Sequence, residues 1–169
     1  MQLSAVISTY NSTEWLEKVF WGYLRQRFTD FEVLIADDGS TPETADLIHD
    51  IQKIAYFPIR HIWQDHGFQK YKILNKAIIA TSSEYLVFSD GDCIPRVDFL
   101  QEHYTNRKPH HFLSAGLVRL SITLSKHINP GHIVQGTAFD RKWLVANGLK
   151  EAVFKNLKLT NNKRLGAVL

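Results

Sequence analysis

The sequence predicts an α/β fold in which a mostly parallel sheet carries helices on both of its faces. Short apolar runs alternate with segments of helical periodicity from Leu3 to Pro95, which is the pattern of right-handed β-α-β units. Three of the four runs are followed by polar or acidic turn formers, as expected for buried parallel strands. The 169 residues, 44% of them hydrophobic, are enough to bury one stable core, so we expect a single domain overall.

Four strands and three intervening helices are predicted in the first part of the chain. Apolar runs predict the strands at residues 3–7, 31–35, 58–63 and 85–88. Helical spacing predicts the helices at residues 12–24, 44–54 and 70–80. Pro42 suits the first turn of the second helix, because its missing N–H is not needed there. In the third helix we expect Leu74, Ala77 and Ile78 to face the core.

The pattern becomes less regular after Pro95. The elements predicted there are a helix at residues 97–106, a mixed apolar segment at 112–124, a strand at 132–139 and a short helix at 140–146. The turn formers Asn129, Pro130 and Gly131 precede the predicted strand.

Composition disfavours several classes of protein. Cys93 is the single cysteine, so no disulfide can form within the chain and a reducing compartment is expected. The sequence has no run of 18 apolar residues, and its first residues lack the pattern of a signal peptide. We therefore expect a cytoplasmic protein. The net charge is +3, and the basic residues of 150–169 are interpreted as a solvated face, with a phosphate-bearing ligand or an anionic lipid surface as the alternative.

Polar side chains gather where the predicted strands end. Ser8 to Asn11 follow the first strand, Asp37 and Asp38 the second, and Asp90 and Asp92 the fourth. Ligands of open parallel sheets bind beyond the carboxyl ends of the strands, so we expect these groups to converge on one crevice.

The acidic residues at two of these ends have distinct chemical uses. Asp90 and Asp92, separated by one glycine, can both face a hard cation such as Mg²⁺ or Mn²⁺, although they could instead cap backbone groups of a turn. One carboxylate of Asp37 and Asp38 can accept hydrogen bonds from a ribose or a base while the other caps the next helix. Tyr10 can lie against a base or serve as an aromatic residue at the rim of the core.

The combination of these stretches resembles the family 2 glycosyltransferases of the GT-A fold, a Rossmann-type fold whose members transfer sugars from nucleotide diphospho-sugars. The resemblance covers roughly residues 1 to 100. The matching pieces are Val6–Asn11, Phe31–Ser40, Gly67–Phe68 with Asn75–Ile78, and Glu84–Asp92. It implies a donor-binding half at 1–100 and a partial acceptor-side half at 101–169, shortened relative to typical members.

The resemblance also implies roles for individual residues. Ser8 and Tyr10 would hold the nucleobase and Asp38 the uracil or ribose, while Asp90 would lie near the ribose and the metal and Asp92 would coordinate the metal. Further candidates for nucleotide binding are Asn11, Asn75 and Lys72. The arginine that the family often has before the asparagine is Leu74 here, so Lys70 or Lys72 must supply positive charge to the diphosphate.

The catalytic base is the part of the family pattern that this sequence does not show. The Glu-Asp pair that supplies the base in the family has no counterpart after Gly148. Glu151 and Asp140 are the remaining candidates, and each can equally be a surface residue.

The resemblance therefore implies a metal-dependent, inverting glycosyltransferase that uses a UDP-sugar with Mn²⁺ or Mg²⁺ in polysaccharide or glycolipid synthesis. Its acceptor would be a carbohydrate or a lipid-linked sugar, with peripheral contact at the inner face of the cytoplasmic membrane and no nucleic acid partner. One alternative is a nucleotide-binding remnant without transfer activity. A second is a phosphatase with Asp90 as the phosphoryl-accepting nucleophile, although in those enzymes the acidic triplet ordinarily ends the first strand.

Overall fold

The computed structural model describes residues 1–65 and 68–149, and the chain forms two compact units. The first unit comprises residues 1–106, and the second begins at Arg107.

The first unit is built on a four-stranded sheet in which all pairings are parallel. The strands are β1 (Leu3–Thr9), β2 (Phe31–Asp37), β3 (Ile59–Trp63) and β4 (Leu86–Asp90). Their order across the sheet is β3-β2-β1-β4, so β1 lies between β2 and β4. The register pairs Thr9 with Asp37 and Ser8 with Asp90. All four predicted strands and the parallel sheet are therefore confirmed, and three strand ends come together.

The described residues of this unit, 1–65 and 68–106, also form four helices. They are α1 (Thr13–Tyr23), α2 (Pro42–Ile54), α3 (Lys70–Ala80) and α4 (Phe99–Asn106). Pro42 occupies the first turn of α2 as predicted. All four helices predicted between residues 12 and 106 are confirmed, with boundaries that differ by at most two residues.

The two faces of the sheet bury different side chains, because successive residues of a strand point to opposite sides. On one face, Val33 and Ile35 belong to a cluster with apolar residues of α1, α2 and α4. On the other face, Leu34 and Ala36 pack with Ile73 and Ala77 of α3. Helices therefore cover both faces, as the sequence predicts.

The inward face of α3 differs in part from the prediction. Ala77 is buried as expected, but the second fully buried residue is Ile73, while Leu74 is only partly buried and Ile78 is 36% exposed. Apolar residues occur on more than one side of this helix, since Ile79 is also apolar and is 85% exposed. The periodicity of apolar residues therefore does not fix which side of α3 faces the sheet to better than about one residue.

All of the regular secondary structure in the described part of the second unit is helical. Its helices are α5 (Ile122–His127), α6 (Pro130–Gln135) and α7 (Arg141–Ala146), with a short 3-10 turn at Thr137–Phe139. The predicted short helix at 140–146 is confirmed as α7. Residues 107–121, which include most of the mixed apolar segment, form neither helix nor strand.

The predicted strand at residues 132–139 is wrong. The side chain of Asn129 accepts a hydrogen bond from the His132 N–H at 3.1 Å, and His132 Nδ1 accepts one from the Asn129 N–H at 3.3 Å. This reciprocal cap, with Pro130 in the first turn, begins a helix. Gly136, with φ of 85°, ends it. The capping residues outweigh the strand-like apolar spacing of the segment.

No helix within the described ranges has both the length and the apolar character needed to cross a membrane.

Candidate functional site

A cleft of about 330 Å³ lies at the carboxyl ends of β1, β2 and β4. Its lining includes polar and charged side chains from all three strand ends and from the start of α3, namely Ser8, Tyr10, Asp38, Lys70, Asp90 and Asp92. The convergence predicted from the polar strand ends is therefore observed.

Gly91 allows the turn after β4 to pack closely against β1. Its N–H donates to the Ser8 carbonyl oxygen at 2.8 Å. A Cβ atom at this position would lie 2.9 Å from that same oxygen and 3.3 Å from the Thr9 side chain. Glycine between the two aspartates is thus a packing requirement, which keeps Asp90 and Asp92 at the cleft.

Asp90 is held by two donors. Its Oδ1 accepts hydrogen bonds from Lys70 Nζ at 2.6 Å and from Ser8 Oγ at 2.8 Å. These contacts, with Lys70 contributing most, lower the pKa of Asp90 below its usual value. Asp90 is therefore ionised at neutral pH, as a metal ligand must be.

Asp90, Asp92 and Cys93 form a compact group of metal-ligating side chains, since their ligand atoms all lie within 4.8 Å of one another. Burial, followed by the charge of Asp92, raises the pKa of Cys93 to about 11, so its thiol stays protonated. The donors available at neutral pH are the two carboxylates, which suit Mg²⁺ or Mn²⁺ and leave other coordination positions for phosphate oxygens or water.

Asp38 holds the segment that leads into α3. It is only 6% exposed. Its Oδ1 accepts a hydrogen bond from Gln64 Nε2 at 2.5 Å, and its Oδ2 accepts one from the Gln69 N–H at 2.8 Å. A carboxylate offers about four acceptor positions, so Asp38 retains the capacity to accept a further bond from a ligand.

Asp37 has a structural role at the same strand end. Its Oδ1 accepts a hydrogen bond from the Ser40 N–H at 2.8 Å, and its Oδ2 lies 2.8 Å from His61 Nε2. Burial raises the pKa of Asp37, but the hydrogen bonds from His61 and Ser40 outweigh this effect and bring the pKa below its usual value. Of the two neighbouring acids, Asp37 stabilises the turn and Asp38 reaches the cleft.

Asn11 joins two loops at the edge of the cleft. Its N–H donates to Ser40 Oγ at 2.9 Å, and its side-chain oxygen accepts from the Thr41 N–H at 2.8 Å. It adopts a φ of 45°, which asparagine tolerates better than most residues. The structure thus places this predicted nucleotide-binding residue as a brace between the loops that follow β1 and β2.

The predicted residues of α3 divide between the cleft and the surface. Lys70 lies in the lining, whereas Lys72 and Asn75 are exposed residues that fall outside it in the described part of the chain. Of the two lysines that the sequence offered, Lys70 therefore reaches the acidic strand ends.

Aromatic side chains stand at the mouth of the cleft. Tyr10 is 41% exposed, and its ring centroid lies 5.4 Å from that of Phe68, which is 88% exposed. Trp15 of α1 also lines the cleft. The sequence offered Tyr10 as a residue that can lie against a base and Phe68 as part of a family motif. It did not predict that these two rings meet or that Trp15 lines the cleft, because contacts between distant segments leave no local pattern. Gly67, the other residue of the Phe68 motif, lies outside the described residues.

The structure describes one of the two candidate bases. Asp140 caps α7, since its Oδ1 accepts a hydrogen bond from the Trp143 N–H at 2.7 Å. Glu151 and the basic residues of 150–169 lie outside the described residues.

Comparison with known proteins gives consistent matches. The sequence model described as "Glycosyl transferase family 2" matches residues 4–144. An uncharacterized glycosyltransferase from Nostoc sp. is 33% identical over 101 residues, which cover 60% of this chain and 31% of that protein. A GalNAc(5)-diNAcBac-PP-undecaprenol beta-1,3-glucosyltransferase from Campylobacter jejuni is 30% identical over 95 residues, covering 54% of this chain and 29% of that protein.

Solved structures share the fold. A mannosyltransferase from Pyrobaculum calidifontis, in complex with GDP-Man and Mn²⁺, matches with a TM-score of 0.63 and 20% identity over 70% of this chain and 36% of that chain. TarS 1-349 from S. aureus, in complex with UDP-GlcNAc, matches with a TM-score of 0.53 and 22% identity over 60% of this chain and 30% of that chain.

The chain spans about a third of the length of the curated relatives it matches. The family match nevertheless extends over most of this chain. The acidic residues Asp90 and Asp92 follow the fourth strand of the sheet, whereas the acidic triplet of the phosphatases ordinarily follows the first strand. These findings disfavour the phosphatase alternative. The chain belongs to glycosyl transferase family 2.

Proposed function

We propose that the cleft binds the nucleoside diphosphate of a sugar donor together with a divalent cation, in the transfer of a sugar to an acceptor hydroxyl. The observation that carries this proposal is the presence of Asp38, Asp90, Asp92 and Lys70 in the lining of one cleft. In the complete reaction the donor is a UDP-sugar, and the acceptor displaces the diphosphate in a single inverting step.

The charge of the lining supports the need for a cation. The lining contains three carboxylates and one ammonium group, so the net charge of the cleft is negative before any ligand binds. A dianionic diphosphate would be repelled from such a cleft unless a cation bound with it. Asp90 and Asp92 would hold Mn²⁺ or Mg²⁺, which when bound neutralises the negative charge that develops on the departing diphosphate.

The remaining residues bind and orient the nucleotide. Ser8 holds the Asp90 carboxylate in place through its hydroxyl. Tyr10, together with Phe68, offers aromatic surface against which a base can stack, and such stacking stabilises a bound base by roughly 1–3 kcal/mol. Asp38 accepts an N–H or O–H of the base or ribose through its remaining acceptor positions.

The proposed class of acceptor is based on the names of the relatives. The Campylobacter jejuni relative is named for an undecaprenol-linked acceptor. We therefore propose a carbohydrate or lipid-linked acceptor, as in polysaccharide or glycolipid synthesis, with the reaction at the inner face of the cytoplasmic membrane and peripheral membrane contact. Donor binding is assigned to residues 1–100, and residues 101–169 belong to the acceptor side.

A nucleotide-binding module without transfer activity is the second candidate. The observation that favours it is the hydrogen bond from the Trp143 N–H to Asp140, because it engages the one candidate base that the described residues contain. The two candidates share the same donor cleft and differ only in turnover.

The proposal is tested by measuring the thermal stability of the chain with UDP, GDP, CDP or dTDP, each with and without Mn²⁺. A ligand that binds the native state raises the unfolding temperature, so we expect a metal-dependent increase with UDP. Asp92→Asn should abolish the increase, whereas Asp46→Asn, which changes an exposed aspartate of α2, should leave it unchanged.

Two further outcomes are decisive. If none of the four nucleotides stabilises the chain in the presence of Mn²⁺, the cleft is not a nucleoside diphosphate site. If UDP binds but a mass-spectrometric assay detects neither transfer to a lipid-linked acceptor nor hydrolysis of UDP-sugars, the nucleotide-binding module is the correct function.

A further inference from the structure

We propose that Lys70 is an exchangeable counter-ion. Its ammonium group neutralises Asp90 while the cleft holds no divalent cation, and it transfers to the diphosphate of the donor when the cation binds Asp90 and Asp92. This inference rests on the proposed function, and it makes Lys70 a positioning residue that competes with the metal and then retains the nucleotide.

The position of Lys70 at the start of α3 points to this role. Lys70 is the first residue of the helix, and the first turn contains no acidic residue. The N-terminus of a helix carries partial positive charge, so a lysine there is unfavourable for the helix itself. Side chains of a helix tilt toward its N-terminus, which directs Lys70 out of the helix end and toward the cleft. The ion pair with Asp90 offsets the unfavourable position of the Lys70 charge at the start of the helix.

The ion pair of Lys70 and Asp90 is suited to exchange. The two groups are 2.6 Å apart, and each side chain is 58% exposed. Ion pairs this exposed contribute little net stability, because water solvates the separated charges well. The long, flexible stem of lysine lets the ammonium move while the backbone of α3 stays in place.

Competition with a divalent cation follows from the charges. A cation bound by Asp90 and Asp92 would lie close to the Lys70 ammonium, and the two like charges would repel each other. The ammonium would then lose its carboxylate partner. The oxygens of a diphosphate bound to the same cation would offer the Lys70 ammonium a new anionic partner. The charge of Lys70 therefore opposes binding of the cation alone and favours binding of the nucleotide.

Lys76 provides a matched control. It lies on the same helix, carries the same charge and is exposed, but it is not part of the cleft lining within the described residues. Lys70→Met and Lys76→Met remove one charge each from the same helix, so differences between them report the position of the charge and not the net charge of the protein.

The experiment uses isothermal titration calorimetry on the full chain with two kinds of probe. Mn²⁺ alone should bind Lys70→Met about three- to tenfold more tightly than the wild type, because the competing charge is gone. At saturating Mn²⁺, UDP and GDP are titrated separately, and the one that binds the wild type should bind Lys70→Met about tenfold more weakly. Lys70→Arg should restore most of the nucleotide affinity, and Lys76→Met should match the wild type in both titrations.

Opposite changes in the two affinities distinguish this role from a structural one. A variant that merely disturbed the cleft would lose affinity for both Mn²⁺ and nucleotide, and that result overturns the inference. Equal affinities of Lys70→Met and wild type overturn it as well, while nucleotide binding to the wild type keeps the proposed function intact. If the wild type binds Mn²⁺ but neither nucleotide, the proposed function fails, and the inference fails with it.

Discussion

The Asp38 carboxylate accepts a hydrogen bond from the N–H of Gln69 at 2.8 Å, and Gln69 directly precedes the first residue of α3. The end of β2 therefore sets the position at which α3 begins. Because Lys70 is that first residue, Asp38 also fixes the origin of the side chain that reaches Asp90. A buried carboxylate in this position has both a structural role and a place in the cleft.

Asp38→Asn should weaken this connection. The two donors contact different oxygens of Asp38, and asparagine replaces one of these oxygens with an NH₂ group, so the hydrogen bond from either Gln64 or Gln69 is lost. We expect a loss of about 1–3 kcal/mol in the free energy of unfolding, measured by urea denaturation. Asp46→Asn, at an exposed position of α2, should change that value by less than about 0.5 kcal/mol. An unchanged stability of Asp38→Asn would contradict the bracing role of this carboxylate.

The stability of the fold should depend on pH through Asp37. The hydrogen bonds from His61 and Ser40 bring its folded pKa below the usual value although burial opposes them. The stabilisation is therefore complete above the unfolded pKa of about 3.9 and is lost as the pH falls through the lower folded pKa. Asp37→Asn should be destabilised by about 1–3 kcal/mol at pH 7.

Urea denaturation of wild type and Asp37→Asn between pH 7 and pH 2.5 measures this dependence. The difference in unfolding free energy between the two proteins should remain constant down to about pH 4 and shrink at lower pH. A difference that stays constant over the whole range would mean that Asp37 titrates alike in the folded and unfolded states.

The opposite end of the sheet offers a variant that separates stability from binding. Glu32 is 3% exposed, and its Oε1 accepts hydrogen bonds from Ser4 Oγ at 2.7 Å and from Ser82 N–H at 2.6 Å and Oγ at 2.7 Å. Glu32→Ala removes these bonds and should reduce the free energy of unfolding by about 3 kcal/mol. Glu32 pairs with Ser4 near the starts of the strands, away from the cleft, so metal and nucleotide affinities should stay unchanged well below the unfolding temperature.

Gly91→Ala tests the packing of the acidic turn. The new methyl group would lie 2.9 Å from the Ser8 carbonyl oxygen, which belongs to the backbone and cannot rotate away. The turn must shift, so we expect a loss of about 1–3 kcal/mol in stability and weaker binding of Mn²⁺. Mn²⁺ titration and urea denaturation check the two effects, and retention of wild-type values in both would show that the turn has more room than this contact allows.

The sequence predicted which strand ends form the site better than it predicted the contacts of the side chains there. The end of each strand is visible in the local sequence, because an apolar run stops there at polar residues. The parallel topology of the sheet then brings Asp38, Asp90 and Asp92 together. The partners of Asp38 in the 64–69 segment carry no such mark, since they depend on where a distant loop returns to the sheet. The helix over 130–135 does not follow from the apolar spacing, because the signal for it lies in the capping residues Asn129 and His132.

Cys93 should react slowly with thiol reagents in the folded protein. Burial and the neighbouring Asp92 raise its pKa to about 11, so almost no thiolate is present at pH 7.5. Reaction with Ellman's reagent should be much faster in urea, where the pKa returns to about 8.5. Asp92→Asn removes the charge that contributes to the shift and should increase the folded-state rate at pH 7.5, whereas Asp46→Asn should not. Equal rates in folded and unfolded protein would show that the thiol is neither shielded nor held in its protonated form by Asp92.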